Sequence, residues 1–167
     1  FQMLFMKNKS NLLPIAFLFI ALGIMGAVSA TVNPPKQVKI LVFFETKGFY
    51  HSSIPVAVAA LQKLGQSNNM LVDTTSESST FLQPDLDKYG AIIFRSTTGD
   101  VFYEAEQAAF KKYINNGGGF VGIHAATDTE YGWPWYNQLV GGYFKSHPKQ
   151  QEAVLNVIDG NHTSTKH

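Results

Sequence analysis

Cysteine is absent from this chain of 167 residues. That absence excludes a disulfide framework, a metal site built on thiolates and a thiol nucleophile. Stability must then come from a packed apolar core, and the residues beyond position 30 suffice for one such core. Any chemistry must rest on side chains other than thiols.

An excess of charge of one sign is also missing, since 13 Lys and Arg residues face 12 Asp and Glu residues for a net charge of +1. No run of basic residues occurs, so the chain has no electrostatic footprint for nucleic acid or an anionic membrane surface. Hydrophobic residues make up 45% and charged residues 15%, an ordinary globular balance. The length predicts a single domain.

The N-terminal segment has the pattern of an export signal. Two lysines precede an apolar stretch over residues 12–28, which Pro14 interrupts and the small residues "AVSA" close. This pattern predicts that residues 1–30 form a signal peptide, with some residues upstream of its start methionine, cleaved after Ala30. A retained N-terminal anchor is the alternative. Cleavage predicts a periplasmic or extracellular protein that does not stay on the membrane. The protein partners expected for it are further copies of itself or other exported domains fused to it.

Residues 31–37, "TVNPPKQ", predict a linker, and residues 38–167 the folded domain. Within the domain, apolar runs alternate with helical patterns. A first helix is expected to have Ser52 or Ser53 as its cap, Pro55 in its first turn and Gly65 as its end. The second helix is predicted over residues 103–116, and continuous apolar runs predict buried strands over residues 38–44, 70–75, 91–94 and 120–124.

This order of elements predicts a flavodoxin-like, doubly wound, mostly parallel α/β sheet with helices on both faces. In that strand order the first, third and fourth strands are neighbours, and ligands bind outside their carboxyl ends. The polar motifs "ETKGFYH", "TTGD" and "HAATDTE" follow these three strands. We therefore expect His51, Asp100 and His124 to lie on one rim of the sheet.

The glycine run over residues 117–119 does not have the position of a phosphate-binding loop. Such a loop has its glycines after a strand and at the start of a helix, whereas these follow a helix and precede a strand. The run predicts a helix stop and a tight turn, and no nucleotide site is expected.

Four stretches carry a family resemblance: "GFYHSSIPVAVAAL", "STTGDVF", "YINNGGGFVGIHAATDTEYGWPWYNQLVGGYFKSHP" and "VIDGNHTST". From about residue 39 to residue 162 the chain resembles the ThuA-like (trehalose utilisation) family of the class I glutamine amidotransferase-like superfamily. The resemblance implies that His124 stands on the turn where amidotransferase relatives place their cysteine. It also implies that further strands and helices follow "NHTSTKH", so the domain is expected to be incomplete at its C-terminus.

Imidazole cannot form the thioester through which glutamine is hydrolysed, so a glutamine amidotransferase is excluded. The candidate catalytic residues are His124, His51, Asp100 and Asp128. His124 is expected to be the general base with His51 and His147 as its partners, while Asp100 and Asp128 orient them or accept substrate hydroxyls. His124, His51 and His147 are candidate ligands for a divalent metal such as zinc, which is the alternative role.

The candidate substrate-binding residues are Thr98, Glu130, Tyr131, Trp133, Trp135 and His147. Aromatic rings beside hydrogen-bonding groups suit the mixed faces of a sugar, and we expect one tryptophan in the core and the other at the cleft. The alternative for Asp128 and Glu130 is that they cap a helix starting near Trp133.

The resemblance implies a role in the utilisation of a carbohydrate, either a disaccharide, a trehalose-like sugar or an oxidised sugar. As an enzyme the chain would be of hydrolase, lyase or isomerase type. The rival is a non-catalytic sugar-binding or interaction module whose amidotransferase-like site has decayed.

Overall fold

The computed structural model describes residues 37–166, so the predicted signal peptide and most of the predicted linker lie outside the described residues. Four parallel strands form one sheet in the order β2-β1-β3-β4. They are β1 (Val38–Phe43), β2 (Met70–Thr75), β3 (Ala91–Arg95) and β4 (Gly119–Ile123). The flavodoxin-like α/β class is confirmed, with the first, third and fourth strands side by side. None of the helices within residues 37–166 is both long and apolar enough to cross a membrane.

Within residues 37–166, three α-helices flank the sheet: α1 (Ile54–Ser67), α2 (Glu104–Asn115) and α3 (Pro134–Val140). Single turns of 3₁₀ helix lie at Ser78–Leu82, Leu86–Lys88 and His124–Thr127. The predicted turn between α2 and β4 is confirmed, because α2 ends at Asn115 and the N–H of Gly118 donates to the carbonyl of Tyr113 at 3.0 Å.

The main core lies on the sheet face that α2 and α3 cover. Alternate residues of β1 and β3 point to this face, and the rings of Phe43 and Phe94 meet there at 5.1 Å. Phe110 from α2 and Tyr136 from α3 stack on Phe94 at 5.1 and 5.8 Å. The opposite face of the sheet carries α1, so the central strands are apolar on both sides, as continuous apolar runs predict.

The predicted end of α1 at Gly65 is wrong, because the helix continues to Ser67. Gly65 is buried, and a Cβ atom built on it would lie 2.3 Å from Val72 Cγ2 of β2. The glycine therefore serves close packing of helix on sheet. The expected serine cap is also absent: Ser53 occupies the cap position but makes no side-chain cap bond, and its Oγ accepts a hydrogen bond from Arg95.

Candidate functional site

Three loops at the carboxyl ends of β1, β3 and β4 are joined by backbone hydrogen bonds. The N–H of Lys47, after β1, donates to the carbonyl of Thr98 at 2.8 Å. The N–H of Gly99, after β3, donates to the carbonyl of Asp128 at 2.9 Å, and the N–H of Glu130 donates back to Gly99 at 3.2 Å. The three polar motifs that follow these strands therefore converge on one rim.

Gly99 allows the loops after β1 and β3 to approach each other closely. Its φ of +74° lies in the left-handed region, and a Cβ atom there would lie 3.0 Å from the backbone nitrogen of Gly48. Both conditions favour glycine, so the "TTGD" motif is in part a backbone requirement.

His51 and His124 meet at this rim with ring centroids 4.6 Å apart in an edge-to-face arrangement. They line a cleft of about 240 Å³ that also contains Asp128, Phe144 and His147. The cleft thus brings together four residues from the predicted catalytic and ligand sets.

His124 has an unusual backbone. Its φ is +57°, in the left-handed region that residues other than glycine rarely adopt, and it opens a 3₁₀ turn where the sequence predicted the end of the fourth strand. Its side chain is exposed and its ring makes no hydrogen bond to any other described residue. A strained, solvent-facing imidazole at a cleft is typical of a functional position.

His51 is electrostatically unlike a free histidine. Burial lowers the pKa of His51, and the nearby positive charges of His124 and Arg95 lower it further, while Asp128 acts in the opposite sense. Its Nδ1 atom is buried and has no hydrogen-bond partner among residues 37–166. At neutral pH His51 is therefore an uncharged imidazole, suited to accept a proton.

Asp128 is tied to the segment that carries His147. The hydroxyl of Tyr131 lies 2.6 Å from Asp128 Oδ1 and 2.7 Å from the carbonyl oxygen of Phe144, so two acceptors share its proton. Burial and the hydrogen bond to Asp128 raise the pKa of Tyr131 to about 12. The ring of Phe144 lies 4.9 Å from that of His147, so Tyr131 positions the far wall of the cleft.

Glu130 does not line this cleft. It is 1% exposed, and its carboxylate accepts hydrogen bonds from the N–H of Phe102 at 2.7 Å and from Gln107 Nε2 at 2.8 Å. Burial raises the pKa of Glu130, and these two hydrogen bonds act in the opposite sense. Neither Glu130 nor Asp128 caps α3, whose N-cap Trp133 has no side-chain bond, so the capping alternative is wrong.

Asp100 and Thr98 lie on the loop after β3 but outside the lining of the cleft. Asp100 is exposed, whereas Thr98 is buried and its hydroxyl donates to the carbonyl of Phe49 at 2.9 Å. Thr98 therefore holds the loop that carries His51.

Neither tryptophan lines the cleft, in contrast to the expectation for one of them. Trp133 and Trp135 lie 4.8 Å apart and both pack, half-buried, against the main core. The aromatic rings beside the histidines are instead Phe144, in the lining, and Phe49, which is 70% exposed and lies 4.9 Å from the ring of His51. The motif "GFYH" contained this signal, an aromatic pair in a loop directly before a candidate histidine.

The histidines share a cleft without forming a ready metal site. Within residues 37–166 there is no group of three or more His, Asp or Glu side chains arranged to hold a metal ion. The roles of His51, His124 and His147 as metal ligands thus stay a prediction.

Comparison with known proteins gives the family. A family model described as "ThuA: Trehalose utilisation" matches residues 39–167. The chain belongs to the ThuA family. A crystal structure of a ThuA-like protein from Bacteroides uniformis ATCC 8492 is similar to this chain, with a TM-score of 0.63 and 28% identity. The match covers 81% of this chain and 58% of that one, so this ThuA chain spans less than two thirds of its length. No curated protein matches the chain.

Proposed function

We propose that this ThuA-family chain is an exported enzyme of carbohydrate utilisation, which binds a disaccharide, a trehalose-like sugar or an oxidised sugar at the rim cleft. The observation that carries the proposal is the contact of His51 with His124, whose ring centroids lie 4.6 Å apart. Two acid–base groups in contact suit a reaction in which one proton is removed from the sugar and another is delivered. Hydrolases, lyases and isomerases of sugars all require such transfers.

His51 is the candidate general base, because burial and neighbouring positive charge lower its pKa and keep the ring neutral. His124 is the second acid–base group, held at the edge of the cleft by its left-handed backbone. The carboxylate of Asp128 faces the same cleft and is suited to accept hydrogen bonds from sugar hydroxyls.

The shape of the site supports a sugar ligand. A cleft of about 240 Å³ suits one ring of such a sugar, since pockets for whole drug-sized ligands are larger, at about 300–1,000 Å³. The exposed ring of Phe49 beside His51 offers a flat apolar face on which a sugar can stack.

The test compares His51→Asn and His124→Asn with His162→Asn, a matched control in the C-terminal segment away from the cleft. Trehalose, maltose, sucrose and their oxidised derivatives are screened by thermal shift, and turnover of the sugars that bind is followed by chromatography. General acid–base catalysis contributes about 10²–10⁴-fold, so each cleft variant should lose turnover by at least about 10²-fold.

The control should keep the turnover of the parent chain. Sugar binding without turnover in the parent, unchanged in the two cleft variants, would instead identify a non-catalytic sugar-binding module.

A further inference from the structure

Arg95 is a buried cation behind the cleft: it is not a lining residue, but its charge acts on His51, which is one. Arg95 is the last residue of β3 and is 7% exposed. Its guanidinium donates to Ser53 Oγ at 3.0 Å and to Ser96 Oγ. Ser53 lies two residues after His51, and the N–H of Ser96 donates to the carbonyl of Ile123, the residue before His124. The guanidinium is therefore fixed between the loop of His51 and the turn of His124.

The charge of Arg95 has no carboxylate partner within residues 37–166. The ion pairs in this part of the chain join Lys39 to Asp73, Lys47 to Glu45 and Lys88 to Asp85. A buried charge that hydrogen-bonds only to neutral hydroxyls costs free energy, and proteins ordinarily pair such a charge. Scaffold packing alone would be served by an uncharged side chain.

The surroundings of Arg95 supply little negative charge and one further positive feature. His51, His124 and His147 line the cleft, and Asp128 is its only carboxylate among the described lining residues. The positive end of the α1 dipole also lies at Ser53, the hydroxyl acceptor of Arg95. The fixed charge of Arg95 and the α1 dipole therefore face a cleft with one described carboxylate, Asp128, which forms no ion pair with Arg95.

We propose that the ligand of this cleft carries an anionic group, a carboxylate or phosphate attached to a sugar, and that Arg95 supplies the buried positive charge that favours it. The inference rests on the proposed function and names the class of sugar that the site takes. In this arrangement the anion is the missing counter-charge of Arg95, and its attraction places the sugar ring against His51 and His124. Arg95 is thus a specificity-determining residue.

The first experiment uses the unmodified chain and measures dissociation constants by calorimetry at constant ionic strength. The probes are glucose, glucuronate, glucose 6-phosphate and inorganic phosphate, so the neutral sugar, the two anionic sources and the free anion are separated. Attraction to the buried charge of Arg95 should make at least one anionic sugar bind about tenfold more tightly than glucose. It should also bind more tightly than inorganic phosphate, because the ring contributes contacts.

Glucose bound as tightly as both anionic sugars would overturn the inference while leaving the proposed sugar enzyme intact. Absence of binding by all three monosaccharides would overturn the inference, whereas the proposed sugar enzyme fails only if the disaccharides and their oxidised derivatives also do not bind. Inorganic phosphate bound as tightly as glucose 6-phosphate would show a simple anion site and would contradict the sugar ligand.

The second experiment compares Arg95→Gln, Arg95→Lys and Lys39→Gln, with folding checked by circular dichroism. Lys39 is a matched charge control, since it pairs with Asp73 near the amino end of β1. The anionic preference should be lost in Arg95→Gln and kept in Arg95→Lys and Lys39→Gln. A preference kept in Arg95→Gln, or lost equally in Lys39→Gln, would overturn the role of Arg95. If Arg95→Gln does not fold, the Arg95→Lys chain decides. Loss of the anionic preference in a folded Arg95→Lys chain, which keeps the positive charge, would overturn the role of Arg95.

Discussion

His124 has an exposed imidazole and a left-handed backbone conformation, with a φ of +57°. Histidine and asparagine tolerate this conformation better than most residues, although both adopt it less readily than glycine. The side chain makes no hydrogen bond to other described residues, so little of the fold depends on it. At the scale of the residue, position 124 is suited to chemistry more than to packing.

We therefore predict that His124→Asn leaves stability close to that of the parent chain, within about 0.5 kcal/mol, because an exposed turn residue makes few contacts. The measurement is the free energy of unfolding in urea, taken beside sugar turnover. Turnover should fall while stability holds. A loss of about 1–3 kcal/mol, as expected when buried partners are left unpaired, would show instead that His124 belongs to the scaffold.

His51 should make stability depend on pH. Its pKa is lowered in the folded chain, mainly by burial, so the unfolded chain binds more protons between the folded and unfolded pKa values. The contribution of His51 to stability is thus present above the unfolded value and is lost as pH falls through the folded one. We predict that the parent loses more stability than His51→Asn when the pH is lowered from neutral to mildly acidic.

Melting temperatures of both chains across this range provide the measurement. Both chains contain Glu130, whose pKa is raised by burial and whose contribution to stability therefore grows as pH falls. The difference between the two curves removes this shared contribution. Parallel curves for the two chains would contradict the lowered pKa of His51.

At the scale of the element, α1 and β2 are fitted to each other through Gly65 and Val72. The glycine lies inside the helix, where it costs about 1 kcal/mol relative to alanine in propensity. The close approach of Val72 Cγ2 explains why alanine does not take its place. The same contact brings the helix that begins after His51 onto its sheet.

We predict that Gly65→Ala destabilises the chain by about 1–3 kcal/mol, because overpacking outweighs the gain in helix propensity. Val72→Ala should cost less in the Gly65→Ala background than in the parent, since it removes the atom that clashes. Urea unfolding of the two single variants and the double variant measures this coupling. Additive effects would mean that the helix shifts to avoid the contact.

At the scale of the whole molecule, the chain combines a ThuA-family domain with an N-terminal segment predicted to direct export. The domain places its polar loops on one rim and its aromatic core below them. The match covers 58% of the Bacteroides uniformis chain, so this domain corresponds to only part of that protein.

We predict that expression of the chain in a bacterial host gives a mature protein beginning at Thr31, because small residues precede that position. Mass spectrometry of the periplasmic fraction measures the N-terminus. Ala30→Leu, which places a large residue at the cleavage site, should block processing. An unprocessed parent chain in the membrane fraction would favour the retained anchor.

The strands, their order and the rim that carries the histidines could be predicted from sequence patterns. Continuous apolar runs mark buried strands wherever they occur, and the alternation of strands with helices restricts the sheet to few topologies. The contact of His51 with His124 follows from that order, since the loops after β1 and β4 flank the one after β3.

Which polar and aromatic side chains reach the cleft could not be predicted, because it depends on how the folded segments pack. Glu130 and the two tryptophans sit in the same motif as His124, yet they are turned toward the core, whereas Phe49 and Phe144 border the histidines. Arg95 closes an apolar strand, and nothing nearby in sequence shows that it is buried without a carboxylate. Whether a side chain is buried depends on residues far away in the sequence that pack against it. A local sequence pattern does not show which residues these are.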